Sequence, residues 1–457
     1  MKLLADKKRT MDMTEGSILK IIITFAVPLF LGQLFQQLYN TVDSYVVGNY
    51  VSNAAFAAVG NTGPIINTLI GFFSGLATGA GVVISQYFGA RDYENVKKAV
   101  NTTIIMTLIL GILFTFIGIS MVPFMLKLMK TPEEVFGEAS IYLTVYFSGI
   151  LGLMLYNVGS GILRAVGDSR RPFIFLVVSA LTNVVLDLLF VLVFDMGVAG
   201  VAYATIIAQG LSAILVIIVL VTSKECYRIS IKEFNGSFSI LKKIIKVGLP
   251  ASLQMAVTSF SNVFIQSYIN AFGANFMSGW TAYAKIDQFV LLPMMSISMA
   301  STTFVGQNLG KGNIKRARQG ANLSLLMSIV FTIILMIPVL IFAPDLVRFF
   351  NDEAEEVVIY GAALLRILSP FYVMCCVNQI YSGALRGAGK STVPMIIMLS
   401  SFVGFRQLYL AVVSALSDNY VFVALGYPAG WILCSLLMFI YYCKSDWEKK
   451  TLIEKKI

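Results

Sequence analysis

The chain is written twice. SGILRAVGDSRRP, from Ser160 to Pro172, returns as SGALRGAGKSTVP, from Ser382 to Pro394, with seven of thirteen positions identical at an offset of 222 residues. The same offset relates Leu19-Lys20 ahead of Pro28 to Leu241-Lys242 ahead of Pro250, and Asn40 to Asn262. With one residue less it relates Gln86, Gly89 and Asn101 to Gln307, Gly310 and Asn322. Matches at one spacing in separated regions mean two copies of one unit of roughly 220 residues. Any fold for this chain must therefore be buildable twice from one pattern.

Hydrophobic residues make up 57% of the chain and charged residues 13%. A soluble domain carries about 25% charged residues. The apolar residues fall in runs long enough to cross a bilayer as helices, about 20 residues each. Twelve runs are expected, at 18–47, 53–80, 98–126, 136–163, 172–194, 198–222, 242–270, 276–303, 319–344, 355–382, 393–416 and 420–443. Alternating ten-residue strands are absent, which argues against an outer-membrane barrel. The expected fold is an all-α polytopic membrane protein with twelve transmembrane helices in two parallel six-helix repeats. Its expected parts are an N-terminal lobe (1–222), a cytoplasmic linker (223–241) and a C-terminal lobe (242–457). The polar start, MKLLADKKRTMDMTEG, lacks the pattern of a secretory signal peptide.

Charge placement sets the expected orientation. With both termini inside, 28 Lys or Arg fall on the inner side and three (Lys127, Lys130, Arg348) on the outer side. That asymmetry is a positive-inside signal. The net charge of +10 thus follows from topology. Clusters such as Lys7-Lys8-Arg9 read as contacts with anionic lipid heads rather than nucleic acid. An even number of crossings per copy makes the repeats parallel, related by an axis along the membrane normal, an arrangement suited to rocking-type transport.

Several chemistries are excluded. His is absent, and the five cysteines (Cys226, Cys375, Cys376, Cys434, Cys443) show no CxxC spacing. No zinc site, haem motif or Cys–His nucleophile can be assembled, so an enzyme is not expected and no cofactor is implied.

The repeated SGxLRxxGxSxxP has a mechanical reading. Its glycine permits a tight turn. Pro172 and Pro394 open the next helix, where a missing N–H costs nothing. Arg164 and Arg386 read as structural anchors.

Polar side chains inside the runs point to function. Gln33, Gln36, Asn40 and Asp43 step by three, four and three, placing them on one face of the first helix. Pro28 should kink that helix and serve as its hinge. Asn183 and Asp187 share a face of the fifth run. Counting about 1.5 Å per residue puts Asp43, Asp187 and Thr205 at one depth, about 8 to 12 Å from the outer end. Two carboxylates, an amide and a hydroxyl at one level can hold Na⁺ through oxygen. They can also share a proton, since two adjacent carboxylates resist both being charged. Lys285 and Asp287 are two apart and need different partners. Arg366 and Arg406 are the candidates for Asp287, with substrate contact the competing role. In the second copy Asp43, Asn183, Asp187 and Thr205 become Ile265, Phe405, Tyr409 and Tyr427. A driving ion is therefore expected in the first half only.

These features together resemble the multidrug and toxic compound extrusion (MATE) family. The resemblance rests on two six-helix halves, Pro28 followed by Gln36 and Asp43, SGxLRxxGDxRxP, and TNVVLDLLFV around Asn183 and Asp187. It covers about residues 15 to 445. It implies a V-shaped pair of lobes and a cation-coupled antiporter that expels amphipathic, often cationic, organic compounds. It implies a cation site at Asp43, Asn183, Asp187 and Thr205, with Asp43 and Asp187 the Na⁺ candidates, and a polar lining that includes Gln36 and Asn157. Gln33, Asn40 and Asp287 complete the expected substrate cavity. The seventh and tenth runs lack the acids that some members carry there.

The expected partners are small-molecule substrates, a coupling cation (Na⁺ or H⁺) and membrane lipid, with no nucleic acid. The expected setting is the inner (cytoplasmic) membrane of a bacterium, as a multi-pass monomer. The competing reading is a flippase for lipid-linked oligosaccharide. It would need a cationic cavity for pyrophosphate, which Lys285, Arg366 and Arg406 could supply.

Overall fold

The computed structural model describes residues 10–51, 53–229, 235–350, 354–417, 419–449 and 451–453. The described residues are helical and contain no strand. The first copy holds α1 (Ile18–Tyr50), α2 (Asn53–Gly89), α3 (Tyr93–Leu128), α4 (Glu133–Ser148), α5 (Ile150–Ala165), α6 (Arg170–Leu188) and α7 (Gly197–Thr222). The second holds α8 (Phe238–Asn270), α9 (Ala274–Lys311), α10 (Ile314–Ile341), α11 (Ala343–Phe350), α12 (Glu355–Leu368), α13 (Tyr372–Gly387), α14 (Thr392–Leu399), α15 (Arg406–Leu416), α16 (Tyr420–Ala424) and α17 (Gly426–Lys444).

Ten of these helical stretches are long and apolar enough to cross a membrane, or eleven with the bent pair α4–α5 counted as one. The expected seventh run coincides with α8, a 33-residue helix diluted by Gln254, Asn262 and Gln266. The fourth run is not one rod. It breaks at Gly149 with a 49° bend. The bend sits where α7 presses against the chain, and a Cβ on Gly149 would strike Ile206. The tenth run breaks at Ser369–Phe371, a 3₁₀ turn between α12 and α13 that contains Pro370.

The duplication recurs in the caps and turns. Asp92 accepts from the Asn95 N–H at 3.3 Å and starts α3. Asn313, 221 residues later, accepts from the Arg316 N–H at 3.1 Å and starts α10. Just before each cap stands a left-handed residue, Arg91 at φ 58° and Gly312 at φ 82°. The turn glycine of the repeated motif is left-handed in both copies, Gly167 at φ 88° and Gly389 at φ 82°. Pro172 and Pro394 lie in the first turns of α6 and α14, among the N–H groups that have no intrahelical partner.

The chain forms two compact units. Unit 1 comprises Met1–Asp12 and Leu31–Leu249; unit 2 comprises Met13–Phe30 and Pro250–Ile457. The changeover inside α1 falls two residues past Pro28, and that inside α8 falls at Pro250. In unit 1, α2 and α8 approach so closely that a Cβ on Gly79 would strike the Gly248 backbone. Small residues permit such crossings where lipid supplies no hydrophobic drive.

The glycine turn of each motif is covered by a different part of the chain. In unit 1, Gly167 lies under the Met11 backbone. In unit 2, Gly389 lies under Leu452; in the same C-terminal segment Trp447 is buried and stacks on Tyr442 at 5.0 Å. Met13, also in unit 2, donates its N–H to Gln307 Oε1 at 2.9 Å. Its carbonyl accepts from Asn308 Nδ2 at 3.2 Å.

Candidate functional site

In unit 1, Asn183 and Asp187 stand one turn apart on α6 and are 2% and 0% exposed. The register of α6 on α7 is set by Ser179, whose Oγ donates to the Ala208 carbonyl at 2.7 Å. The two helices form an antiparallel pair, so one turn up α6 meets one turn down α7. That count brings Asn183 level with Thr205, which is buried. Thr205 spends its proton on the Val201 carbonyl at 3.0 Å, leaving the hydroxyl oxygen as an acceptor.

Among the described residues neither amide atom of Asn183 meets a hydrogen-bond partner. Buried side-chain amides are nearly always satisfied, and each exception calls for an explanation such as an ion. Directly after this turn, α6 widens into a π-helical stretch at Leu189–Val193. Such widened turns concentrate at functional sites.

The other expected site residues are placed as follows. Asn40 and Asp43 are on α1, in a stretch whose side chains lie outside the described residues. Gln33 is half-buried and makes a polar interaction, while Gln36 is exposed. Nearby, Phe35 of α1 meets Phe173 of α6 at 6.0 Å between ring centroids. Asn157, half-buried on α5, turns its amide back to the Leu153 carbonyl at 2.9 Å. Asp287 belongs to unit 2, whereas Gln33, Gln36, Asn40 and Asn157 belong to unit 1.

Asp287 does not pair with Arg366 or Arg406. Its Oδ1 accepts from the Tyr283 hydroxyl at 3.4 Å, one turn back on α9. Arg366 is exposed. Arg406 is 3% exposed. Its Nη2 donates to Asn262 Oδ1 at 3.1 Å, and its guanidinium lies over the Tyr427 ring, 4.8 Å from the centroid. A phenol and an amide thus replace the expected carboxylate as partners. Tyr427 also belongs to an aromatic chain with Trp280 at 5.3 Å and Trp431 at 5.9 Å.

Sequence reasoning missed Tyr283 and Tyr427. The four-residue spacing of Tyr283 and Asp287 is a same-face signal that was available. Tyr427 was visible only as the counterpart of Thr205.

The profile of the family described as MatE matches twice, at residues 28–189 and 250–410. The two matches begin at the proline pair that relates the copies. A "Probable multidrug resistance protein YpnP" from Bacillus subtilis (strain 168) is 32% identical over 445 residues, covering 97% of this chain and 99% of that protein. Among solved structures, an outward-facing multidrug resistance MATE family transporter of the MOP superfamily aligns with TM-score 0.88 at 25% identity, covering 96% of this chain and 98% of that one. A MOP superfamily transporter from Pyrococcus furiosus, described as having a binding pocket of reverse polarity, aligns with TM-score 0.90 at 25% identity over 96% and 98% of the two chains. The duplicated helical fold, the paired family matches and these relatives lead to one conclusion: the chain belongs to the MatE family of multidrug transporters.

Proposed function

We propose that this chain is a secondary active antiporter that exports amphipathic organic compounds in exchange for a monovalent cation, Na⁺ or H⁺. The cation binds in unit 1, at Asp187, Asn183 and Thr205 together with Asp43. The observation that carries this reading is the Asn183 amide, buried with both polar atoms unpartnered among the described residues, one turn from a buried carboxylate.

Two further observations support it. A Cβ on Gly32 would meet Phe173 and Leu176 of α6, and Asp43 and Asp187 each lie eleven residues past Gly32 and Leu176. α1 and α6 are the first and fifth spans and run the same way, so both residues sit about 17 Å beyond that contact. The second copy offers the complementary case. Arg406 there brings its own cation to Asn262, the counterpart of Asn40, and to Tyr427, the counterpart of Thr205.

The same reading counts twelve spans, with 1–222 and 242–457 as lobes and 223–241 as the cytoplasmic linker, in the bacterial inner membrane. Cation arrival changes the bend of α1 at Pro28. Substrate, held by the polar lining of unit 1 at Gln33, Gln36, Asn40 and Asn157, is then released outward. Relatives named as multidrug resistance proteins support drug export. The flippase alternative is weaker, because Arg406 is engaged by Asn262 and Tyr427 rather than free for a pyrophosphate.

The test is efflux of a fluorescent drug from vesicles under imposed Na⁺ or pH gradients. Asp43→Asn and Asp187→Asn should each abolish gradient-driven efflux while drug binding in detergent persists. Undiminished efflux in both variants would sink the site assignment.

A further inference from the structure

A cavity of about 360 Å³ opens along the first three turns of α9. Met277, Ser278, Thr281 and Lys285 line it, with Phe350 from the end of α11 opposite. The spacing of these four residues puts them on one face of the helix. Lys285 is exposed, and its Nζ sits 5.7 Å from the Phe350 ring centroid. It lies about 17 Å along α9 from the helix start.

A lysine within an apolar span is costly unless it meets water or a partner, and it marks function by default. Among the described residues no carboxylate is in ion-pairing reach of Lys285. Asp287, two positions on, points elsewhere and takes the Tyr283 hydroxyl. Beside the ammonium, Thr281 gives its proton to the Met277 carbonyl at 2.9 Å. The Ser278 hydroxyl, half-buried on the same face, makes no hydrogen bond among the described residues and is free to donate. An ammonium and a hydroxyl donor beside a thioether and a phenyl ring suit a molecule with one compact anionic group on an apolar body.

Resting on the export reading above, we infer that this cavity is a substrate subsite and that Lys285 sets its specificity. It selects amphipaths that carry a carboxylate, as zwitterions or anions, over simple lipophilic cations.

The experiment uses a rhodamine with a free carboxylate and its methyl ester, which is a lipophilic cation. Binding of each dye to the purified full-length protein in detergent is read by fluorescence anisotropy, so no gradient is needed. Wild type should prefer the carboxylate form. K285M should reduce that preference by about tenfold, and K285R should retain it. The ratio is read within each variant, so loss of active protein cancels. Wild-type preference for the ester, or an unchanged ratio in K285M, would overturn the inference. If the ratio behaves as expected but neither dye is exported from energised vesicles, the subsite stands and the antiport reading falls.

Discussion

The Arg406 guanidinium rests 4.8 Å above the ring of Tyr427, the residue that stands in the second copy where Thr205 stands in the first. A planar cation over an aromatic face is favourable electrostatically, and more so when desolvated. Arg406 is 3% exposed, so its charge is a fixed part of unit 2. Arg406→Ala should destabilise the protein by about 2 to 4 kcal/mol, through the lost stacking and the polar atoms left behind. Arg406→Lys should recover only part of this, since an ammonium cannot reproduce the flat, forked contact. Thermal unfolding followed by tryptophan fluorescence measures both.

Asn183 should behave in the opposite way. Its unpartnered amide costs stability when no ion is bound, because burial removes water without supplying a replacement. Asn183→Leu should therefore raise the unfolding temperature of ion-free protein, by the equivalent of about 1 kcal/mol. The same variant should lose the stabilisation that a coupling cation confers on wild type. Melting curves with and without Na⁺, and at two pH values, separate the two effects. A variant less stable than wild type without ions, yet still stabilised by them, would count against the site.

The two motif glycines should differ in tolerance. Both are left-handed, at φ 88° and 82°, and alanine there costs about 1 to 2 kcal/mol in backbone strain alone. At Gly167 the new methyl would also strike the Met11 backbone, whereas at Gly389 it meets the Leu452 side chain, which can rotate away. Gly167→Ala should therefore be the more damaging substitution. Parallel expression and melting measurements decide the order.

Cys226 gives a pH prediction at the end of the first copy. Burial, with Glu225 adding to it, pushes its thiol up to about 11 from an ordinary value of 9.0. The thiolate is the nucleophile, so alkylation by iodoacetamide should be slow near neutral pH and accelerate toward pH 11. Because the folded value is raised, the linked stability is full below about pH 9 and fades between there and about pH 11. Rates measured on a variant with the other four cysteines replaced test this directly.

The scaffold was legible because its signals are local or repeated. A turn glycine and a proline in the first helical turn each act within four residues, and each appears twice. Asn183 and Asp187 were legible because a polar group in an apolar run stands out. The break at Gly149 was not, because its cause is Ile206 on another helix. Nor was the partner of Asp287. Charge alone suggested an arginine, but packing gave Arg406 to an amide and an aromatic ring, leaving the carboxylate a phenol from its own helix. The π-helical stretches at Leu189–Val193 and Ser400–Phe405 left no compositional trace, since one widened turn needs no special residue.

The exchange of helix segments at Pro28 and Pro250 has a consequence for how the protein is made. Met13–Phe30 precedes all of the first copy's other spans, yet it packs with residues that follow Pro250. The first copy, in turn, is not complete until Phe238–Leu249 has been synthesised. Neither copy can finish alone, and Met13–Phe30 must wait until residues beyond Pro250 have been translated. Each unit of the duplicated fold is thus closed by a segment that the other copy's sequence supplies.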